Sequence, residues 1–153
     1  MPIQVDVVSQ EKLLFRELEA DMVLVPGIEG VMGILPHHTP LVSLMKNGEL
    51  IVRKGEAEEI FVIYGGVVEV RPDKVVVLAD AAQFAAELSI QEAEEARQRA
   101  LDLIEEGVPP EDEAFIAQEL RRAELAINIA RKNQSSAGNI KIRIIKDQDE
   151  RKN

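Results

Sequence analysis

The sequence predicts a mainly β protein with an added α-helical element: an antiparallel β-sandwich of about eight to ten strands followed by a C-terminal αα-hairpin. From Ile3 to Ala82, short runs of Val, Ile and Leu are interrupted by Gly, Pro and Asn, which leaves no room for helices. After Leu88 the apolar residues recur at three- and four-residue spacing, which is typical of helices. At 153 residues, the chain is long enough for one core-bearing domain and an accessory element, but too short for two full-sized domains.

The β domain is expected over residues 1–86. Apolar and polar residues alternate at 3–7 and 68–71, so each of these strands has one apolar face and one face that can meet water. Two packed sheets are the simplest way to bury the apolar faces. The candidate strands are Ile3–Val8, Leu13–Leu18, Met22–Val25, Val31–Leu35, Leu41–Met45, Glu49–Arg53, Glu59–Tyr64, Val67–Arg71 and Lys74–Leu78.

The hairpin is expected over residues 87–132. Its first helix begins at Ser89 with a capping box, in which the hydroxyl accepts from the backbone N–H of Glu92 and the Glu92 carboxylate reaches back to the Ser89 N–H. Gly107 ends this helix, and two prolines precede the next one. Because the apolar stripes are rich in alanine, they bury little surface, and the hairpin should need the sandwich or a partner for stability. The stripes are Ile90, Ala93, Ala96, Ala100 and Ile104, then Ile116, Leu120, Ala123, Ile127 and Ala130.

A polar tail is expected over residues 133–153. Asn133 to Asn139 resembles a flexible linker in composition, and Ile140 to Ile144 alternates like a strand before a charged end. We expect a flexible or disordered tail rather than a third structured element.

Composition excludes several functions. A net charge of −10 and a pI near 4.7, without a basic stripe, argue against nucleic-acid binding and against direct docking on an anionic membrane. No apolar run approaches the roughly 18 residues of a membrane-spanning helix. The N-terminus lacks the features of a signal peptide, and the absence of cysteine fits the cytoplasm and excludes a thiolate metal site.

Catalytic motifs are also missing from the sequence. The adjacent histidines His37 and His38 lack the further ligands that a catalytic metal needs, so a structural or interfacial role is favoured. Acidic pairs such as Glu94 and Glu95 do not face each other on a helix. We therefore predict no catalytic residue, no cofactor and no metal site.

The most specific stretch runs from Glu29 to Leu41, where glycines and prolines predict a rigid surface segment. From Gly30 onward it is similar to the G-E-L-G-I-x-P-x-H-x-P-L signature of the epsilon subunits of F-type rotary ATP synthases. Residues 65–82 are similar to the G-G-x-x-E-V and L-A-D-x-A segments of the same family. The resemblance covers about residues 1–132.

The resemblance implies a non-catalytic subunit of a proton- or sodium-translocating ATP synthase. Its β domain would join the gamma subunit of the central stalk and the membrane rotor ring of c subunits through Glu29, Val31, Met32 and His38. Val31 departs from the family, which usually has an acidic residue there, so the charge of this contact is altered. The expected location is peripheral, at the cytoplasmic face of the bacterial plasma membrane.

The resemblance also implies that the hairpin regulates ATP hydrolysis by alternating between a compact and an extended position. Basic residues of the second helix, Arg121, Arg122, Arg131 and Lys132, would contact acidic surfaces of the catalytic alpha/beta hexamer. A solvated helix face explains these residues equally well.

Some family members bind ATP through an [I/L]-D-x-x-R-A motif between sandwich and hairpin. Here Ser89 and Glu92 occupy the two polar positions, and Glu92 puts a carboxylate where a cation is expected. The second-helix positions that carry arginine in ATP-binding members align with Ile129 and Asn133. We therefore expect no physiological nucleotide site.

A free-standing β-sandwich adaptor or small-ligand sensor is the alternative function. Pull-down from the native host distinguishes the two, because only an epsilon subunit should recover gamma and catalytic subunits.

Overall fold

A computed structural model describes residues 2–135 and 141–142 of the chain. The described residues form ten β-strands and two long helices, so the predicted fold class is confirmed and each predicted strand is present. The strands are β1 Ile3–Ser9, β2 Lys12–Ala20, β3 Met22–Gly27, β4 Gly30–Ile34, β5 Leu41–Met45, β6 Gly48–Lys54, β7 Ala57–Ile63, β8 Gly66–Val70, β9 Lys74–Ala79 and β10 Ala82–Phe84.

All ten strands belong to one sheet, with the order β10-β7-β6-β3-β5-β8-β9-β1-β2 and with β4 paired to β3. The sheet curls over on itself. Phe15 of β2 and Phe61 of β7 lie near opposite ends of this order, yet their ring centroids are 5.3 Å apart. Phe84 of β10 packs on Phe61 at 4.7 Å. The two layers therefore come from one curled sheet.

The pairing of β1 with β9 is parallel, which corrects the expectation of a purely antiparallel domain. Strand β1 pairs antiparallel with β2 on its other side, so the N-terminal strand lies inside the sheet rather than at its edge. Strand β10 was not predicted. It has three residues and pairs with Phe61–Ile63 of β7.

Asp6 on β1 connects three neighbouring strands although its side chain is almost fully buried. Its carboxylate accepts from Arg16 Nε of β2 at 2.8 Å and lies 3.5 Å from Lys74 Nζ of β9. The hydrogen bond from Arg16 is the main reason that the pKa of Asp6 lies below its ordinary value, with Gln4 contributing a further hydrogen bond.

The hairpin follows a short 3-10 helix at Ala85–Glu87 and consists of α1, Ile90–Glu106, and α2, Glu113–Ser135. The Ser89 hydroxyl accepts from the Glu92 backbone N–H at 3.2 Å, which confirms the hydroxyl half of the predicted capping box. Gly107 ends α1 with a positive φ of 96°. Helix α2 continues to Ser135, beyond the predicted end at residue 132. In the described part of the chain, neither helix is long and apolar enough to cross a membrane.

Helix α2 has two buried faces. The predicted stripe supplies Ala123, Ile127 and Ala130, all of which are buried. A second face packs on the outer surface of β6 and β7 through Ile129, in a cluster with Ile51, Ile60, Val62 and Ala85 and with Leu125 at its margin. The hairpin therefore lies compactly on the β domain.

Two residues of the predicted tail also contact the β domain. Lys141 forms a parallel bridge with Glu58 of β7, and the Ile142 side chain is fully buried in the main core. Asn133 to Ser135 belong to α2. The expectation of a flexible tail otherwise falls on positions outside the described residues.

Candidate functional site

The β3–β4 hairpin presents an exposed apolar tip. Gly27 pairs with Gly30 across the turn, and a Cβ at Gly27 would lie 2.8 Å from the Gly30 carbonyl oxygen, so only glycine fits there. Ile28 and Glu29 are exposed in the turn, and Val31 on β4 is 70% exposed. This tip has the character of a contact surface that is apolar with a single acidic group.

The predicted contact residues do not form one patch. Glu29 lies before β4 and His38 lies beyond its other end, and β4 alone spans about 13 Å at roughly 3.3 Å per residue. The segment at His38 is anchored to the β8–β9 turn, because the His37 backbone N–H donates to the Pro72 carbonyl at 2.8 Å. Met32 is half-buried and packs against the main core.

His38 makes a local contact, with Nδ1 2.7 Å from the Thr39 carbonyl oxygen. His37 has a positive φ of 67°, whereas His38 does not, so the two adjacent histidines differ in backbone conformation. Among the residues whose placement is described, no group of three or more His, Asp or Glu side chains is arranged to hold a metal ion.

A second apolar surface crosses the outer face of the sheet. Leu44 of β5 pairs with Val67 of β8, and Val67 pairs with Leu78 of β9. We call these three residues the apolar row. Leu44 and Leu78 are exposed, as is Val42 on the same face of β5. This surface is not among the sequence predictions, although β5 is apolar on both of its faces.

A cleft of about 370 Å³ opens where the hairpin meets the β domain. Its lining includes Ser89 and Glu92 of the capping box, the arginines Arg99 and Arg122, and Glu119. Two carboxylates therefore accompany the two guanidinium groups. Ile129 and Asn133, which align with the arginines of ATP-binding family members, are not part of this lining, whereas Arg99, which is not among the predicted site residues, is.

Tyr64 forms one wall of the cleft. The Arg122 guanidinium lies 5.0 Å from the centre of its ring, within the range of a cation–π interaction. Burial raises the pKa of the Tyr64 phenol above its ordinary value, although the charge of Arg122 acts in the opposite direction.

The basic residues of α2 differ in their surroundings. Arg121 is exposed, whereas Arg122 is half-buried against Tyr64. Arg131 pairs with Glu94 of α1 at 3.0 Å, and Lys132 pairs with Glu49 of β6 at 2.7 Å. In the compact hairpin, three of the four predicted inhibitory residues are thus engaged within the chain.

Comparison with known proteins agrees with this architecture. Residues 2–85 match the family model described as the ATP synthase Delta/Epsilon chain β-sandwich domain. The ATP synthase epsilon chain of Dehalococcoides mccartyi is 44% identical over 133 residues, covering 86% of this chain and 94% of that protein. The epsilon chain of Herpetosiphon aurantiacus is 39% identical over 131 residues, covering 86% and 96%.

Two solved structures share the fold. A chain of the Euglena gracilis mitochondrial ATP synthase, in a structure of OSCP, F1 and the c-ring, aligns with a TM-score of 0.66 at 20% identity, covering 89% of this chain and 81% of its own. A chain from the central stalk and c-ring of the Tetrahymena thermophila enzyme aligns with a TM-score of 0.57 at 12% identity, covering 85% and 97%. The chain therefore belongs to the family of ATP synthase epsilon chains, a non-catalytic subunit, as the sequence predicted.

Proposed function

We propose that the chain is a rotor part of a proton- or sodium-translocating ATP synthase. Its β domain joins the gamma subunit of the central stalk to the membrane ring of c subunits, so that the two rotate together. The observation that carries this proposal is the extent of the family match, which spans 86% of the chain and therefore includes residues from both the β domain and the hairpin. The match also covers 94% of that epsilon chain, which favours an epsilon subunit over a free-standing adaptor.

Two exposed apolar surfaces support the coupling role. The tip is the turn between β3 and β4 together with Val31 of β4, and the apolar row lies on three paired strands. Exposed apolar side chains on such surfaces favour burial by a partner. The tip, with Glu29 and Val31, suits a polar loop flanked by apolar side chains in the rotor ring. The segment at His38, beyond the other end of β4, suits the stalk.

Charge substitution in the apolar row tests the coupling role. Leu44→Asp should weaken binding to the purified gamma subunit and ring at least about tenfold, because it puts a charge in a desolvated contact. Leu18→Asp is a matched control, since Leu18 on β2 is 62% exposed and Leu44 is 57% exposed. Equal binding by both variants would exclude the apolar row as the contact. Failure of the wild-type chain to recover gamma and catalytic subunits from its host would favour the adaptor function.

The hairpin is proposed to regulate ATP hydrolysis. In the compact position α2 covers β6 and β7, whereas in an extended position Arg121, Arg122, Arg131 and Lys132 would reach acidic surfaces of the alpha/beta hexamer. The small apolar contact between α2 and the β domain supports this, because such a contact can be exchanged for one with a partner.

Deletion of residues 89–153 should raise ATP hydrolysis by the reassembled motor. Binding of the truncated chain to gamma is the control, because the deletion also removes Ile142 from the β core. Unchanged hydrolysis with normal binding would refute the inhibitory role and leave the coupling role intact. The complex would be located at the cytoplasmic face of the bacterial plasma membrane, with this chain as a peripheral member.

A further inference from the structure

Two residues that follow α2, Lys141 and Ile142, contact the β domain at the edge of β7. Strand β10 pairs with Phe61–Ile63 of β7, and Lys141 forms its parallel bridge with Glu58, farther along this strand. The next residue, Ile142, is fully buried and belongs to the same core cluster as Phe15 and Phe61. After leaving α2, the chain thus returns to the β domain and inserts one isoleucine into its core.

The same two residues are attached to the end of α2. Lys141 Nζ donates to Asn133 Oδ1 at 2.8 Å, in the last turns of the helix. One residue earlier, Lys132 pairs with Glu49 of β6. Lys141 therefore touches α2 through its side chain and β7 through its backbone.

From this juxtaposition we infer that Lys141 and Ile142 form an intramolecular strap that fastens the C-terminal end of α2 to the edge of β7 and holds the hairpin in its compact position. Six peptide units separate Ser135 from Lys141 and can span about 20 Å at most. Helix α2, with 23 residues, is about 35 Å long. The helix cannot swing its full length away from β6 and β7 unless Ile142 leaves the core.

The strap lies beyond the motif resemblance to epsilon subunits, which covers about residues 1–132. It adds a barrier to the hairpin movement proposed above, yet its test uses the isolated chain and does not depend on the motor. Failure of the strap would therefore leave the coupling and regulatory proposals untouched.

Amide hydrogen exchange of the 153-residue chain tests the strap. Ile142→Ser should speed exchange in α2 residues 120–135 by about tenfold to a hundredfold, the range expected for losing a buried aliphatic side chain, while β8 and β9 stay protected. Tyr64 should become more accessible to acrylamide quenching, and its emission is readily assigned because the chain has one tyrosine and no tryptophan. Ile28→Ser, at an exposed isoleucine of the β3–β4 turn, is the matched control and should change neither readout.

Unchanged exchange in α2 of the Ile142→Ser variant would overturn the strap. If that variant instead loses protection throughout the sheet, Lys141→Ala decides, because it keeps Ile142 and removes the hydrogen bond to Asn133. If the strap exists, amide exchange in the last turns of α2 should be about two- to tenfold faster in Lys141→Ala than in the wild type, and exchange in the sheet should be unchanged. An α2 that exchanges at the wild-type rate in Lys141→Ala would refute it.

Discussion

Ile129 is the side chain through which α2 is expected to hold the β domain, and its truncation should release the hairpin. Ile129 is buried in a cluster with Ile60 and Val62 of β7. Truncation of a buried isoleucine to alanine costs about 2–5 kcal/mol. Because a helix on a sheet surface can shift to close part of the cavity, we expect the lower part of this range for Ile129→Ala, about 2–3 kcal/mol. At 1.4 kcal/mol per factor of ten, the ratio of docked to undocked hairpin should fall by roughly 30- to 150-fold.

Distance measurements can test this expectation directly. The chain has no cysteine, so two cysteines introduced at the exposed positions Glu56 and Gln98 would carry spin labels at unique sites on the β domain and on α1. Ile129→Ala should add a population of longer distances. Ile104→Ala removes the same atoms from a side chain that is 48% exposed and should leave the distribution unchanged. Identical distributions for both variants would show that the apolar contact at Ile129 does not hold the hairpin.

Three further predictions concern stability, ligand binding and ionisation. Asp6→Asn should lower the free energy of unfolding by about 2 kcal/mol and the Tm by roughly 4–8 °C, with the exposed Asp73→Asn as control, measured by calorimetry. Because folding lowers the pKa of Asp6 from 3.8, its stabilising effect is present above this pH and is lost as the pH falls further, so the two proteins should converge in acid. Titration with ATP and Mg²⁺ should show no sub-millimolar binding, because Glu92 and Glu119 oppose phosphate in the cleft. The pKa of Tyr64, measured from tyrosinate absorbance, should lie above 10.0 in the wild type and return toward it when α2 is released.

The strands could be predicted because their apolar residues alternate locally, as in β1 and β8. The parallel pairing of β1 with β9 could not be predicted, because it joins residues about seventy positions apart and depends on how the whole sheet curls. Strand β10 was missed because three residues are too few to display a period. The cap at Ser89 could be predicted because its hydrogen bond is local: donor and acceptor are only three residues apart.

The candidate surfaces were only partly predictable from the sequence. The strand predicted at Val31–Leu35 is present as β4, but the sequence does not show that this strand separates Glu29 at one end from His38 at the other. The apolar row depends on the registers between β5, β8 and β9, which no local pattern contains. Ile142 falls in the predicted flexible tail because chain ends are usually poorly ordered even where, as at 140–144, the residues alternate like a strand. Its burial results from a long-range contact with the core.

The contacts that hold the hairpin on the β domain differ in strength, and this bears on the two-state movement that we propose. The Arg131–Glu94 pair joins two exposed side chains, and Lys132 is 61% exposed although its partner Glu49 is only 19% exposed. Ion pairs that are open to water on at least one side contribute about 0–1 kcal/mol each. A buried isoleucine contributes about 1.5–3 kcal/mol, so Ile129 and, in our proposal, Ile142 dominate the compact position. Helix α1 has one buried residue, Ala100, and does not add a comparable contact. A partner that offers an apolar groove together with acidic groups would replace both kinds of contact, and its differential affinity for the extended hairpin needs to offset only these few side chains.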